Sequence, residues 1–210
     1  MQLISPETIY RGNYAWEESL PQITKLTKSP LILGRSINTK NLRNNISIDL
    51  KNQNLSVNSA DLQFDCCNED ISRVKNIISN NNNDSVIAAG GGKVLDSGKY
   101  IAESLNIPCI TVPLSASTCA GWTALSNIYT KNGQFIKDVA LGSCPKILVY
   151  DHKFIQTAPL RTLASGIADA LAKWYESSIT SSKIDDGLVQ QAIQISRAVS
   201  YTHLTLPTKV

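Results

Sequence analysis

Residues 85–99 read SVIAAGGGKVLDSGK, and this stretch decides the fold. Ser85 to Ala89 is a short apolar run of the kind that forms a buried strand, and it leads straight into Gly90, Gly91 and Gly92. A helix is predicted at once. From Lys93 to Leu105, the side chains of Val94, Leu95, Ile101, Ala102 and Leu105 fall on one face. Asn106 and Pro108 end it, and Cys109-Ile-Thr-Val is the next strand. Glycine lets another group approach the backbone closely. The first amides of a helix are unpaired and carry partial positive charge, which suits a pyrophosphate. The turn is not a Walker A loop, because Val94 follows Lys93 and no glycine precedes it at the required distance. Nor is it G-x-G-x-x-G, since Leu95 stands where the third glycine belongs. Taken alone, it is compatible with phosphate binding or with a tight structural connection.

Strand and helix signals alternate on both sides. Pro30-Leu-Ile-Leu-Gly34 reads as a buried strand and turn, and Ser47-Ile-Asp-Leu50 as a weaker strand. Ile71, Val74, Ile77 and Ile78 give Glu69 to Ser79 a helical face, and Asn80 to Asp84 is predicted to be an exposed loop. Downstream, β-forming residues flank Lys131-Asn132-Gly133, which is a hairpin signal, and Ile147 to Asp151 after Lys146 supplies another buried strand. Such alternation with short connections predicts an α/β fold with a parallel sheet covered by helices. From Thr157 the pattern is helical only, with a second helix expected from Asp185 to Ser200. We therefore divide the chain into an α/β domain at 1–155, the beginning of a helical domain at 156–200, and a tail at 201–210. The stretch VSYTHLTLPT resembles a translated sequencing adapter at a broken contig end, which implies a natural chain running on beyond about Val199. A genuine β-prone tail is the alternative, and His203 carries little weight.

Composition narrows the class. Of 210 residues, 42% are hydrophobic, which excludes wholesale disorder. A net charge of +3 without a basic, aromatic-laced stripe argues against nucleic acid. No apolar run reaches membrane-spanning length, and the N-terminus lacks the features of a signal peptide. Five cysteines without a C-x-x-C motif suggest free thiols in a reducing compartment, hence a cytoplasmic location.

The segment GGGKVLDSGKYIAESLNIPCITVPLSASTCAGWTALSNIYTKNGQF, with ILVYD and APLRTLASGIADALAKWYES further on, resembles the iron-containing alcohol dehydrogenases, in their glycerol dehydrogenase branch. The likeness runs from about Pro30 to Ser178. It implies a dinucleotide-binding domain followed by an all-helical metal-binding domain, the dehydroquinate synthase-like fold, with the active-site cleft between them. The implied activity is oxidoreduction of the CH–OH group of an alcohol or polyol with NAD or NADP, a divalent metal (Zn or Fe) polarising the substrate oxygen. A small-molecule substrate and, for the complete protein, a homo-oligomer are implied as well.

Carried over residue by residue, the resemblance places the cofactor pyrophosphate on Gly90, Gly91, Gly92 and Lys93. It sets Asp96 near the nicotinamide end, where an acid stabilising the helix dipole is the alternative reading. Leu114, Thr123, Leu125 and Tyr129 would line the dinucleotide, although Leu125 and Tyr129 equally suit packing. Asp169, a carboxylate on an apolar stretch between Ile167 and Leu171, is costly to bury without a partner, and the family uses it as a metal ligand. The family's two further ligands are histidines from later helices. The histidines here are His152, which suits a loop or cap, and His203.

Two departures stand out. Cys119 occupies the substrate-proximal position where the family's S-T-D-A motif carries aspartate, which puts glycerol itself in doubt and disfavours glycerol-1-phosphate dehydrogenases. An inert buried thiol is expected there. Arg35 follows the first glycine-ended strand, where an NAD enzyme commonly carries an acid for the ribose 2′-hydroxyl; an arginine suits a 2′-phosphate and favours NADP. No acid–base side chain can be named. A lyase or cyclase of the dehydroquinate synthase type and a non-catalytic nucleotide-binding fragment are the rival readings. Helices after residue 155 are expected to expose apolar faces that further chain would cover.

Overall fold

The computed structural model describes residues 4–181 and 183–205. Strand β1 (Thr8–Gly12) and helix α1 (Ala15–Leu26) precede β2 (Pro30–Gly34). Helix α2 (Lys40–Asn52), β3 (Asn58–Asp61), α3 (Asn68–Asn81), β4 (Ser85–Gly90), α4 (Gly92–Ser104) and β5 (Cys109–Pro113) follow. The hairpin β6 (Leu125–Tyr129) and β7 (Phe135–Ala140) then leads to β8 (Ile147–Asp151). After β8 the described chain is helical: α5 (His152–Gln156), α6 (Leu160–Thr180) and α7 (Gly187–Thr205).

Six strands form one sheet in the order β1-β8-β5-β4-β2-β3, and every neighbouring pair is parallel. The β6–β7 hairpin stands apart as an antiparallel pair. Alternate residues of the central strands feed two cores. Leu31, Leu33, Val86 and Ala88 meet Ile71, Val74, Val94 and Ile101 from α3 and α4 on one face. Ile32, Ile87, Ala89 and Ile110 meet Trp16, Ile23, Ile46 and Leu50 from α1 and α2 on the other. Both faces are buried, so these strands read as continuous apolar runs. Helix α4 lies directly on β4, and a Cβ added at Gly98 would come 2.4 Å from the Ala88 Cβ.

Three sequence expectations are corrected. Ser47 to Leu50 is helical, not a strand, because Arg43, Ile46 and Leu50 share one buried helical face of α2. Asn80 to Asp84 is not simply an exposed loop. Asn82 takes the left-handed conformation (φ 51°) that ends α3, and buried Asn83 donates to the Ser29 carbonyl at 3.1 Å and to Asn58 at 2.9 Å. Helix α7 also continues past Ser200 to Thr205, while residues 206–210 of the expected tail lie outside the described residues. The expected exposure of apolar faces is observed, with Leu160, Leu163, Ile167, Tyr175 and Ile179 of α6 all exposed. Among the described residues no helix is long and apolar enough to cross a membrane.

Candidate functional site

In the sheet, β2 leads outward to β3, whereas β4 leads the opposite way to β5. The carboxyl ends of the adjacent strands β2 and β4 therefore mark the switch point, where ligands of open α/β sheets bind. Arg35 leaves β2 there, and Gly90 and Gly91 leave β4. Gly91 caps α4, its carbonyl accepting from the Val94 and Leu95 amides at 3.0 and 3.1 Å. The first amides of α4 consequently have no partner within the helix. A Cβ at Gly91 would meet only the Ser115 hydroxyl, at 3.9 Å, so space stays open over the turn. Those features fit a pyrophosphate. Lys93, in the first turn, lies 5.2 Å from the centre of the Tyr129 ring, which Phe135 meets edge-on at 6.0 Å.

Between the two strand ends sits an acid that sequence reasoning missed. Asp65, in the loop between β3 and α3, receives Lys93 at 2.5 Å on one oxygen and Arg35 at 3.4 Å on the other. Its side chain is 7% exposed, against 44% for Arg35 and 41% for Lys93. In the sequence it lies amid Gln63-Phe-Asp-Cys-Cys67 with no motif to mark it; a charge beside two cysteines was the one available signal.

Other expected residues are placed differently. Asp96 is buried, 3.0 Å from Lys99, and accepts from the Asn127 amide at 3.3 Å. Burial pushes its carboxyl above the usual range despite the opposing pull of Lys99. Lys99 also donates to the carbonyls of Ala120 (2.7 Å), Thr123 (3.1 Å) and Leu125, so this pair fastens α4 to the segment entering β6. Leu114 does not line an open groove: its side chain is 2% exposed within the second core, because it continues β5 inward. Thr123 gives its carbonyl and hydroxyl to Lys99, whereas the Leu125 side chain is exposed.

A cavity of about 550 Å³ lies between the carboxyl ends of β1, β5 and β8 and helices α6 and α7. Cys119, Trp122, Tyr150, Asp169 and Lys173 all line it. Helix α6 rests on the loop after β5 at its wall, where a Cβ at Gly166 would overlap the Ala116 carbonyl. Cys119 is exposed here, contrary to the expectation of a buried thiol, because the loop carrying it rims the cavity. The buried thiols are Cys66, Cys67 and Cys109; burial pushes Cys66 and Cys109 up to about 12. Asp169 is likewise not buried. Its side chain is 36% exposed and pairs with Lys173 one turn on, at 3.2 Å.

A divalent metal finds only part of a site. Among the described residues no group of three His, Cys, Asp or Glu side chains stands together, so Asp169 is a single donor with an ammonium beside it. His152 sits at the start of α5 and meets the Tyr150 ring edge-on at 6.4 Å.

An open parallel α/β domain with a glycine turn at its switch point, leading into helices, is the class that this fold defines. More particularly, the model of the iron-containing alcohol dehydrogenase family matches residues 6–152, and the chain belongs to that family. An uncharacterized oxidoreductase of Synechocystis sp. is 35% identical over 194 residues, covering 92% of this chain and 50% of that protein. The crystal structure of glycerol dehydrogenase from Schizosaccharomyces pombe superposes with a TM-score of 0.74 at 32% identity, over 86% of this chain and 46% of that one. A probable glycerol dehydrogenase from Sinorhizobium meliloti 1021 shares the fold, with a TM-score of 0.81 at 24% identity over 96% of this chain and 56% of that one. The chain thus spans about half the length of these relatives.

Proposed function

We propose that the complete protein is an NAD(P)-dependent oxidoreductase acting on the CH–OH group of a small alcohol or polyol. The observation that carries this reading is the open glycine turn at the switch point, with Lys93 and Arg35 beside it. When bound, the nicotinamide supplies or accepts the hydride. The chain's own part is to hold and orient. Unpaired amides at the start of α4 and the Lys93 ammonium take the pyrophosphate. The Lys93 ammonium lies over the Tyr129 ring, and Arg35 favours the 2′-phosphate of NADP(H). Trp122, Tyr150 and Cys119 form the wall against which a small substrate is oriented, with Arg11, Asp169 and Lys173 as its charged groups.

The family implies a divalent metal, and Asp169 is the residue we assign to it; the described residues do not complete that site. Exposed apolar residues on α6 support cover by further chain or by a second copy in a homo-oligomer. Five free cysteines, three of them buried, support a cytoplasmic location.

The test is titration of the complete protein with NADH and NADPH by nicotinamide fluorescence, followed by absorbance at the reduced nicotinamide band with an alcohol panel. Binding together with net cofactor reduction is expected. Binding with product formation but no net absorbance change would favour the lyase reading, and binding without turnover a nucleotide-binding module.

A further inference from the structure

Asp65 is the buried acid that the sequence of the proposed cofactor cleft did not reveal. Strand β2 ends without a carboxylate, since Gly34 is followed by Arg35. The fold restores one from another loop and sets it 3.4 Å from the Arg35 guanidinium. The position is strongly held. Residue Cys66 accepts the Tyr129 amide at 2.8 Å, the Cys67 amide bonds back to the Asp65 carbonyl at 2.8 Å, and a Cβ at Gly133 of the hairpin turn would lie 3.4 Å from Asp65 Oδ2. The two carboxylate oxygens differ. Oδ2 receives Lys93, whereas buried Oδ1 accepts no hydrogen bond although Arg35 faces it. A buried carboxylate oxygen without a donor is costly, so Oδ1 keeps capacity for one.

We propose that Asp65 determines cofactor choice: it holds Arg35 back from a 2′-phosphate and offers Oδ1 to a ribose hydroxyl. The proposal rests on the dinucleotide reading of the cleft. A 2′-phosphate reaching Arg35 must draw the guanidinium off Asp65 and then lie close to a buried carboxylate, where like charges repel with little screening. A 2′-hydroxyl meets no such opposition and can donate to Oδ1 once Arg35 swings out into solvent. Arg35 and Asp65 thus pull in opposite directions, and the enzyme's preference is the difference between them. Lys93 has a separate part. Its assigned ligand, the pyrophosphate, is common to both cofactors, so any disturbance transmitted through Lys93 weakens both equally and leaves their ratio unchanged.

The experiment measures Kd for NADH and NADPH on the complete protein and on Asp65→Asn, Asp65→Ser and Asp65→Glu, with a cooperative melt as the check on folding. For Asn and Ser we expect the affinity ratio to move towards NADPH by roughly tenfold, with NADPH binding gained or held and NADH binding lost. Asp65→Glu should return the ratio most of the way to wild type. Equal weakening of both cofactors would make Asp65 a mere anchor for Lys93 and overturn the proposal, as would an unchanged ratio. Failure of the wild type to bind either cofactor would instead overturn the dinucleotide reading beneath it. Because two different neutral substitutions are read, loss of folding in one leaves the ratio measurable in the other.

Discussion

Asp96 and Lys99, one turn apart on α4, form a buried ion pair at 3.0 Å, and Asp96 accepts from the Asn127 amide of β6. Lys99 is 2% exposed, and its ammonium is also ringed by carbonyls of the segment that carries Cys119 and Trp122 to the cavity. The pair therefore links the helix whose first turn faces the glycine loop to the wall of the substrate cavity. Removing one partner leaves a buried charge uncompensated. Lys99→Met is expected to cost about 3–5 kcal/mol of stability, measured by urea denaturation, because breaking a buried pair exposes the full desolvation penalty of the survivor. A cost below about 1 kcal/mol would mean that water reaches Asp96.

Packing of α4 on β4 depends on Gly98. An added methyl would come 2.4 Å from the Ala88 Cβ, so Gly98→Ala must push the helix off the strand. We expect a loss of about 1–3 kcal/mol by overpacking, with a lower midpoint in thermal denaturation. An unchanged or raised midpoint would show that α4 slides without penalty.

Asp84 gives the stability a pH dependence in acid. Burial works against its carboxylate, but hydrogen bonds from the Thr27 hydroxyl and the amides of Lys28 (2.7 Å) and Ser29 (3.1 Å) outweigh it and hold the group below its ordinary value of 3.8. A folded-state value below the unfolded one contributes stability that is present above the ordinary value and lost as pH falls through the lowered one. Asp84→Asn should accordingly destabilise at neutral pH, with the difference from wild type shrinking in that acid window. Urea midpoints measured across the range check it; a difference constant with pH would contradict the assignment.

Arg35 and Lys93 should separate by which cofactor they affect. Arg35→Asp is expected to shift preference towards NADH by at least about tenfold in Kd ratio. Lys93→Ala should weaken NADH and NADPH together, by roughly 1.5–3 kcal/mol for a lost charge-assisted hydrogen bond. Equal affinity of the unaltered protein for both cofactors would remove the basis for an NADP preference.

Cys119, which the resemblance sets at the motif position of an aspartate near the polyol, is exposed in the cavity. A thiol accepts hydrogen bonds weakly, so two adjacent hydroxyls find a poor partner there. Cys119→Asp in the complete protein is expected to raise kcat/KM for glycerol by roughly ten- to a hundredfold, since a carboxylate accepts from two hydroxyls far better than a thiol does. No gain would assign polyol recognition to other cavity residues.

Local patterning alone determined most of the sheet. Strands β2, β4, β5 and β8 are buried on both faces and so appear as apolar runs; the β4–glycine–α4 turn and the hairpin around Gly133 (φ 81°) follow from short-range turn chemistry. Edge strands escaped for the same reason in reverse. Asn58 to Asp61 of β3 carries one buried side chain and joins the sheet through its backbone, and β1 alternates between half-buried and exposed positions. Helix α2 is hidden in the sequence because Ile46 and Leu50 are helical neighbours that share a core with Ile32 and Trp16 of other elements.

Charge placement at the site belonged to tertiary structure throughout. Nothing between Arg35, Asp65 and Lys93 in the sequence says that the ends of β2 and β4 and the loop after β3 converge, because ion pairing depends on distances of a few ångströms set by sheet order. Burial was decided in the same way, placing Leu114 in the core and leaving Cys119 and Asp169 at the cavity. The sequence by itself determined which segments become strands and helices and where the glycine turn opens α4, since those rest on periodicity and backbone freedom within a few residues. Only the folded chain decided which side chains face one another, since that follows from the order in which the parallel strands stack.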